Sequence, residues 1–416
     1  MATHAEVWIW GAKAGVVRWD EAQAPGTGVF EYDDAFAETG LEIAPIWMRA
    51  LARTAYAFPS LSPQSFKLLP PCLSDSLPDS FGNAVIDAWL TSTGRDPTDL
   101  NPVDRLLCVG NRGMGALEFR PSFDLGRSQD HLHLAALVEL TGQILESTGV
   151  LALMDEQQET LEHLFAIGSS AGGQRPKAIM AFNESMGEIL SSEAGARSGF
   201  SPWLLKFDLT RAAETQTALA GFGRVEYAYH LMARAAGLTM TDCKLHFEGP
   251  RAHFMTRRFD RAPNGEKLHV LTLCAMDHAD FTTPGAYSYE RALEVCRRLG
   301  LRRVEQIELF RRAVFNVVAR NQDDHTRNIA FLMGRDGIWH LAPAYDVCWA
   351  YRADSQWVSS HQMTINGKRD DFTLDDLLTL AKLIPDLDPE ETIKNVLASV
   401  RCWDVWASRA GIKDMA

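Results

Sequence analysis

The chain has 416 residues, of which 46% are hydrophobic and 23% are charged, and its formal net charge at pH 7 is −13. This composition is typical of a folded protein with about two or three substructures, and it excludes a disordered chain. The negative net charge argues against a protein that coats nucleic acid by itself, because such binding depends on Lys and Arg side chains that neutralise phosphates.

The cysteine pattern and the N-terminus indicate the cellular compartment of the protein. The seven cysteines are scattered, odd in number and without a C-x-x-C pair, so neither a disulfide framework nor a zinc site is predicted. The N-terminus lacks the pattern of a secretory signal, and no apolar segment is long enough to span a bilayer. We therefore expect a cytoplasmic protein without a membrane partner.

The first third of the chain predicts a small sheet followed by helices. Residues 6–36 contain the strand-like runs VWIW, GVVRW and GVFEY, separated by Gly, Pro and Asp. Residues 58–83 are rich in Pro and Ser, which predicts a loop across the surface. A helix that stops at Gly94 follows, and a second helix is predicted over 131–150, with a boundary at 120–130 between them.

The rest of the chain predicts a small α+β region and then a helical one. Residues 151–260 combine strand-like runs with one helix that ends at Gly237. Ser288 has the position of an N-cap for the next helix. Asp388 and the following Pro start the last helix, whose apolar stripe predicts continuation to Gly411.

The segment NQDDHTRNIAFLMGRDGIWHLAPAYDV contains the most chemistry. Its two apolar runs, joined by GRDG, predict a β-hairpin whose base brings Asn328 and Asp346 together. Two oxygen ligands of this kind suit Mg²⁺ that also binds phosphate. Asp323 precedes Asn328 by five positions, which is the spacing of base and metal ligand in protein kinases.

Each residue of this segment also has a simpler interpretation. Asp and Asn before a strand are common turn formers. Asp324 and His325 either hydrogen-bond within the loop, or His325 holds Asp323 or a phosphate in position.

Two further segments are candidates for phosphate binding. The run GSSAGGQRPKA, residues 168–178, is either an anion-binding nest of backbone N–H groups or a flexible surface loop. Lys206, in the apolar run WLLKFD, either extends out of an edge strand or binds phosphates. Glu226 either orients that lysine or interacts with the helix dipole.

The order of these motifs resembles one known family. SSAGGQRPK, WLLKFD, RRFDR, NQDDHTRN and LAPAYDV, with LSDSLPDSFGN and MGALEF before them, resemble the HipA family of bacterial toxin–antitoxin serine/threonine kinases over essentially the whole chain. The resemblance implies an α+β, two-lobed kinase-like fold related to phosphoinositide kinases. It implies a β-rich N-terminal subdomain over 1–125, a kinase N-lobe with the phosphate loop over 126–260 and a mainly helical C-lobe over 261–416.

The resemblance also implies roles for individual residues. Asp323 is similar to the family's catalytic base, with His325 beside it, and Asn328 and Asp346 are similar to its metal ligands. Ser169 matches a loop serine that family members autophosphorylate to switch activity off. The residues that match ATP-binding positions are Ser170, Ala171, Gly172, Gly173, Lys177, Lys206, Phe259 and His325.

Three positions depart from the family pattern. Arg257 stands where an acidic residue usually precedes the hinge Phe, Arg327 replaces a common lysine, and Pro176 is an apparent insertion before Lys177. Neither the Arg327 nor the Pro176 change removes a group that phosphoryl transfer needs.

The function implied by the resemblance is transfer of phosphate from ATP, with Mg²⁺, to Ser or Thr of a protein, often one that serves translation. It further implies a toxin with a role in persistence, neutralised by a HipB-like helix-turn-helix antitoxin, through which alone the protein meets DNA. Two alternatives are a catalytically weak co-repressor that partners a DNA-binding antitoxin, and a kinase for a small-molecule hydroxyl.

Overall fold

The computed structural model describes residues 4–22, 25–123, 131–146, 155–169, 175–191, 197–209 and 221–412. The chain forms two compact units. The first unit contains residues 1–43, 48–223 and 244–269, and the second contains 44–47, 224–243 and 270–416. Most of the predicted boundary at 120–130 lies outside the described residues.

An antiparallel sheet opens the first unit, as the sequence predicts. Ala5, Val7 and Ile9 alternate with more exposed residues and are buried, which is the pattern of a sheet with one face on a core. In the described residues its strand order is β4-β3-β2-β1-β5. The strands are β1 (His4–Ile9), β2 (Ala12–Asp20), β3 (Thr27–Tyr32), β4 (Ala55–Tyr56) and β5 (Leu117–Arg120).

The prediction of a surface loop over 58–83 is wrong. Two short helices form there, because Pro63 and Pro71 take first-turn positions where their missing N–H groups cost nothing. Phe66 and Leu73 are buried, so the segment contributes to the core. The helices up to this core are α1 (Asp34–Ala37), α2 (Pro63–Phe66), α3 (Pro71–Ser74), α4 (Ser80–Ser92) and α5 (Pro102–Val109).

A second sheet of the first unit packs against helices α4, α6 (Leu134–Glu146) and α7 (Asp155–Gly168). Its strand order in the described ranges is β7-β6-β8-β10-β9. Phe81, Trp89 and Phe165 lie at the centre of the shared core. Its strands are β6 (Lys177–Asn183), β7 (Glu188–Ser191), β8 (Ser201–Lys206), β9 (Cys243–Glu248) and β10 (Arg251–Arg257).

The second unit is mainly helical, as predicted. Ser288 caps a helix by accepting a hydrogen bond from the Arg291 N–H, as its sequence position predicts. The predicted hairpin is present as β12 (Ala330–Met333) and β13 (Trp339–Leu341), with β11 (His269–Thr272) beside β12. The helices are α8 (Phe222–Ala235), α9 (Leu273–Met276), α10 (Tyr289–Arg298), α11 (Arg303–Val318) and α12 (Leu374–Ala381).

The last predicted helix is broken in the structure. Asp388 caps α13 (Pro389–Arg401) as expected, but Cys402 leaves the helical conformation and α14 (Trp403–Arg409) follows. At the break the Ser399 carbonyl accepts the Cys402 N–H at 3.1 Å, and the Trp406 indole N–H also donates to that oxygen at 2.9 Å. Within the described residues, no helix is both long and apolar enough to cross a membrane.

Candidate active site

The loop that follows α11 brings together the residues with the predicted catalytic spacing. Residues Thr326–Asn328 form a 3₁₀ turn, and the Asn328 side-chain amide donates to the Asp323 carbonyl oxygen at 2.8 Å. The Asp323 side chain is 50% exposed, and its Oδ1 lies 3.9 Å from His325 Nε2. The turn therefore holds an exposed carboxylate beside an imidazole and ties both to Asn328.

The hairpin brings the two predicted metal ligands to neighbouring chain segments. The Tyr345 hydroxyl donates to the Arg327 carbonyl at 2.6 Å, so the residues that precede Asp346 and Asn328 are in contact. Asp346 itself has a φ of 52°, a left-handed conformation that is uncommon for a residue with a side chain. Such strain is typical of functional sites, where the surrounding structure maintains it.

Asp324, whose role the sequence does not decide, organises the loop from its buried side. Its carboxylate is buried and accepts hydrogen bonds from the Tyr289 hydroxyl at 2.9 Å, His361 Nδ1 at 2.9 Å and the Gln362 N–H at 2.8 Å. Burial and the Asp324 charge raise the pKa of the Tyr289 hydroxyl well above its ordinary value, so that this hydroxyl stays protonated and donates. Asp324 is therefore a structural anchor for its neighbour Asp323.

The donor set fits a magnesium ion that shares its ligands with phosphate. Because the Asn328 nitrogen is engaged by the Asp323 carbonyl, its Oδ1 is the atom left to act as a ligand. In the part of the chain that the structure describes, no three His, Cys, Asp or Glu side chains cluster as a metal site. One amide oxygen and one Asp carboxylate match Mg²⁺, which keeps waters and substrate phosphate oxygens in its shell, better than a metal that needs an all-protein cage.

The first unit places two predicted phosphate-binding lysines side by side. Lys177 on β6 and Lys206 on β8 are direct cross-strand partners and so share one face of the sheet. Lys177 is buried, and the Lys206 ammonium lies 5.8 Å from the centre of the Phe254 ring. Two like charges directly opposite each other are unfavourable in a sheet unless other groups offset them. Glu226 lies buried on α8, and its role in orienting Lys206 stays a prediction.

The predicted phosphate loop is described only at its two ends. Ser169 follows α7 directly and is fully buried, and its Oγ has no hydrogen-bond partner among the described residues. Ser170, Ala171, Gly172 and Gly173 lie outside the described residues.

The RRFDR motif forms a buried ionic cluster around the predicted hinge residue Phe259. The Asp260 carboxylate pairs with Arg258 at 2.6 Å and Arg261 at 2.8 Å and accepts the Gly115 N–H at 2.7 Å. Burial favours the neutral acid, but the two arginine charges outweigh it and hold the pKa of Asp260 at about 2. The cluster fixes both neighbours of Phe259 and joins the hinge to the loop before β5.

Sequence analysis assigns a role only to Phe259 within this motif, and it does not predict the ionic cluster. Two arginines around one Asp in RRFDR were a signal for it, because a buried carboxylate needs paired charges.

Two family models match the chain. The HipA-like C-terminal domain family matches residues 169–403, and the HipA N-terminal domain family matches residues 5–120. No curated protein matches the chain.

The comparison with solved structures includes two named proteins. One comes from the complex described as the Shewanella oneidensis MR-1 toxin–antitoxin system HipA, HipB and its operator DNA; the TM-score is 0.60 at 15% identity, covering 99% of this chain and 100% of that chain. The other is the Helicobacter pylori proinflammatory kinase CtkA, with a TM-score of 0.31 at 13% identity, covering 50% of this chain and 90% of that one. The family matches and the first likeness confirm the predicted α+β, two-lobed kinase-like fold with a β-rich N-terminal subdomain.

Proposed function

The chain belongs to the HipA family, and we propose that it is an ATP- and Mg²⁺-dependent serine/threonine protein kinase that acts as the toxin of a type II toxin–antitoxin system. The hydrogen bond from Asn328 to the Asp323 carbonyl is the observation that carries this proposal. This bond joins Asn328, the proposed metal ligand, to the main chain of Asp323, the proposed base, and the two residues have the spacing that kinase chemistry uses. Asp324 anchors the same loop through the hydrogen bonds of its buried carboxylate.

In this proposal each residue acts by position and charge. The exposed Asp323 carboxylate accepts the proton of the acceptor hydroxyl, and His325 Nε2 lies close enough to influence its orientation. Asn328 Oδ1 and the Asp346 carboxylate would hold Mg²⁺, and the bound ion would supply positive charge to offset the charge on the transferred phosphoryl group. Phosphoryl transfer has little covalent chemistry for the protein to perform, so positioning of this kind supplies most of the catalysis.

The first unit supplies the phosphate side of the proposed reaction. Lys177 and Lys206 share one face and attract the phosphates of ATP. Ser170, Ala171, Gly172 and Gly173 would add backbone N–H groups from the adjoining loop. Phe259 takes the hinge position beside adenine, and the Asp260 cluster fixes the chain on both sides of it.

Ser169 is the proposed site of autophosphorylation. Among the described residues the Ser169 hydroxyl has no hydrogen-bond partner. A buried hydroxyl without one costs about 1–3 kcal/mol, which would lower the free energy needed to turn Ser169 outward. A phosphate of charge about −2 could not return to the same apolar place. Phosphorylation of Ser169 would therefore hold the loop out and switch the kinase off.

The proposed partner is a HipB-like helix-turn-helix antitoxin. One solved structure that is similar to this chain over 99% of its length comes from a complex with HipB and operator DNA. A net charge of −13 makes direct DNA binding by this chain unfavourable, so its DNA contact would pass through the antitoxin. The external substrate would be a protein that serves translation.

The test is incubation of phosphatase-treated full-length protein with γ-labelled ATP and Mg²⁺, with labelled residues mapped by mass spectrometry. We expect label on Ser169, and a loss of about 100-fold or more in Asp323→Asn, which removes the base. Asp336→Asn is the matched control, because Asp336 is an exposed carboxylate in the hairpin turn. Absence of label in the wild type would contradict the kinase and favour a partner-binding co-repressor, whereas label only on an added metabolite would favour a small-molecule kinase.

A further inference from the structure

Three large aromatic side chains lie close together in the chain just after Asp346. Trp349 is 44% exposed, Trp357 is 41% exposed and Tyr351 is half-buried. Exposed clusters of large apolar side chains are uncommon on folded proteins and mark sites of interaction. Together with Arg320, these three residues are called the aromatic surface.

The aromatic surface is fastened to the catalytic loop by the backbone. The Ala350 N–H donates to the Arg320 carbonyl at 3.2 Å, and the Gln322 N–H donates to the Ala350 carbonyl at 3.2 Å. Asn321 and Ala350 form a parallel bridge. Trp349 and Tyr351 flank Ala350, so they are held beside the residues that lead directly into Asp323.

A cation lies within this surface. The Arg320 guanidinium stacks 4.8 Å from the centre of the Tyr351 ring, and Trp349 meets the same ring edge-on at 6.1 Å. Arg320 has a φ of 53°, the left-handed conformation that commonly ends a helix, and it directly follows the C-cap of α11. A stacked guanidinium still presents N–H groups in its plane, so it can bind a carboxylate while it covers the ring.

The loop that presents Trp357 is ordered as well. The Ser355 hydroxyl accepts the N–H groups of Trp357 at 3.1 Å and Val358 at 3.2 Å, and the Arg352 N–H donates to the Val358 carbonyl at 3.2 Å. Ser355 is buried although its neighbours are exposed. Because the loop is already fixed, binding at Trp357 costs little conformational entropy.

We propose that the aromatic surface docks the polypeptide segment that carries the acceptor Ser or Thr, an inference that rests on the proposed kinase function. Bridged backbones lie about 5 Å apart and each extended residue spans about 3.3 Å, so Ala350 lies about two to three extended residues from Asp323. An apolar side chain at that distance from the acceptor packs on Trp349, and an acidic side chain nearby pairs with Arg320. The surface thereby selects the substrate segment.

The test measures peptide phosphorylation by the full-length protein. A positional-scanning library with one fixed Ser or Thr is phosphorylated by wild type, Trp349→Ala, Arg320→Gln and Phe247→Ala. Phe247→Ala is the matched control, because Phe247 is an exposed aromatic on β9 in the first unit. ATP hydrolysis without peptide is followed in parallel, and the oligomeric state is measured by sedimentation.

We expect wild type to prefer an apolar and an acidic side chain within about three residues of the acceptor. Trp349→Ala should raise KM for the best peptide about tenfold or more with kcat unchanged, as expected when an aromatic anchor is lost. Arg320→Gln should lose the preference for the acidic side chain, and Phe247→Ala should behave as wild type.

Each other outcome has a distinct meaning. An active kinase that phosphorylates no peptide, or whose peptide KM is the same in Trp349→Ala, overturns the docking role and leaves the kinase function standing. A change of oligomeric state in Trp349→Ala with an unaltered peptide KM assigns the surface to a second copy of the chain instead. A wild type that neither hydrolyses ATP nor labels itself overturns the kinase function, and the docking role with it.

Discussion

The side-chain amide of Asn328 donates a hydrogen bond to the main-chain carbonyl of Asp323 at 2.8 Å. One residue is therefore both the proposed ligand of Mg²⁺ and the clamp on the segment that bears the proposed base. An Asp at this position would retain an oxygen ligand but could not donate to the carbonyl. A Leu would lose both roles, so the two variants separate metal binding from loop geometry.

We expect Asn328→Leu to lower the rate of phosphoryl transfer about 100-fold or more and to raise the Mg²⁺ concentration needed for half-maximal rate. Asn328→Asp should also be slow, because the loop loses its clamp, but with a Mg²⁺ requirement nearer that of wild type. Initial rates measured over a Mg²⁺ titration distinguish a loss of metal binding from a loss of loop geometry. Identical Mg²⁺ curves for Asn328→Leu and wild type would show that Asn328 is no metal ligand.

Asp324 predicts a change in stability. Asp324→Asn replaces one acceptor oxygen with an amide donor. That donor faces either the Tyr289 hydroxyl and His361 Nδ1, which bond to Oδ2, or the Gln362 N–H, which bonds to Oδ1. We expect the free energy of unfolding in urea to fall by about 1–3 kcal/mol. Asp354→Asn is the control: that carboxylate is exposed and pairs with the exposed Arg352, so its loss should cost less than about 1 kcal/mol. Equal effects of the two variants would contradict the anchoring role.

The contrast between local and distant contacts explains which features the sequence predicted. Ser288, Asp388 and the two strands of the hairpin depend on neighbours within a few positions, so capping and alternation rules find them. Asp324 instead meets His361, and Asp260 meets Gly115, across long stretches of chain that no local pattern relates. The spacing from Asp323 to Asn328 was readable, but the hydrogen bond between them required the turn geometry.

The wrong prediction of one continuous last helix has its origin in tertiary packing. The helical spacing of apolar residues continues to Trp403, but the helix is interrupted at Cys402. The break lets the Trp406 indole bond the Ser399 carbonyl and lets Trp403 meet the Tyr229 ring at 5.6 Å. Tertiary packing therefore overrides a periodicity that by itself favours one helix.

The Asp260 cluster predicts a dependence of stability on pH. The folded pKa of about 2 lies below the ordinary 3.8, so folding favours the charged carboxylate by about 2 kcal/mol above pH 3.8. This contribution is lost as the pH falls from 3.8 towards 2, because the unfolded chain then binds the proton first. Asp260→Asn should thus be less stable than wild type at pH 7 by at least that amount, since Arg258 and Arg261 stay buried without their partner.

Urea unfolding at pH 7, 5, 4 and 3 checks the sign of the Asp260 effect. The difference in unfolding free energy between wild type and Asp260→Asn should hold from pH 7 to 5 and shrink below about 4. Asp336→Asn, at an exposed carboxylate, should change stability at pH 7 by less than about 0.5 kcal/mol. A difference that stayed constant down to pH 3 would mean that the charge of Asp260 is not what stabilises the cluster.

Replacement of Lys206 should weaken nucleotide binding, and the melting temperature in the presence of Mg-ATP can measure this. Its position opposite Lys177 places two positive charges on one face, and bound ATP phosphates would relieve their repulsion. Mg-ATP should therefore raise the melting temperature of wild type, because a ligand that binds only the folded state stabilises it. Lys206→Met should lose most of that rise and show a KM for ATP raised about tenfold or more. Lys394→Met, at an exposed lysine on α13, is the matched control and should keep the full rise. An undiminished rise in Lys206→Met would place the phosphates elsewhere and remove β8 from the proposed nucleotide site.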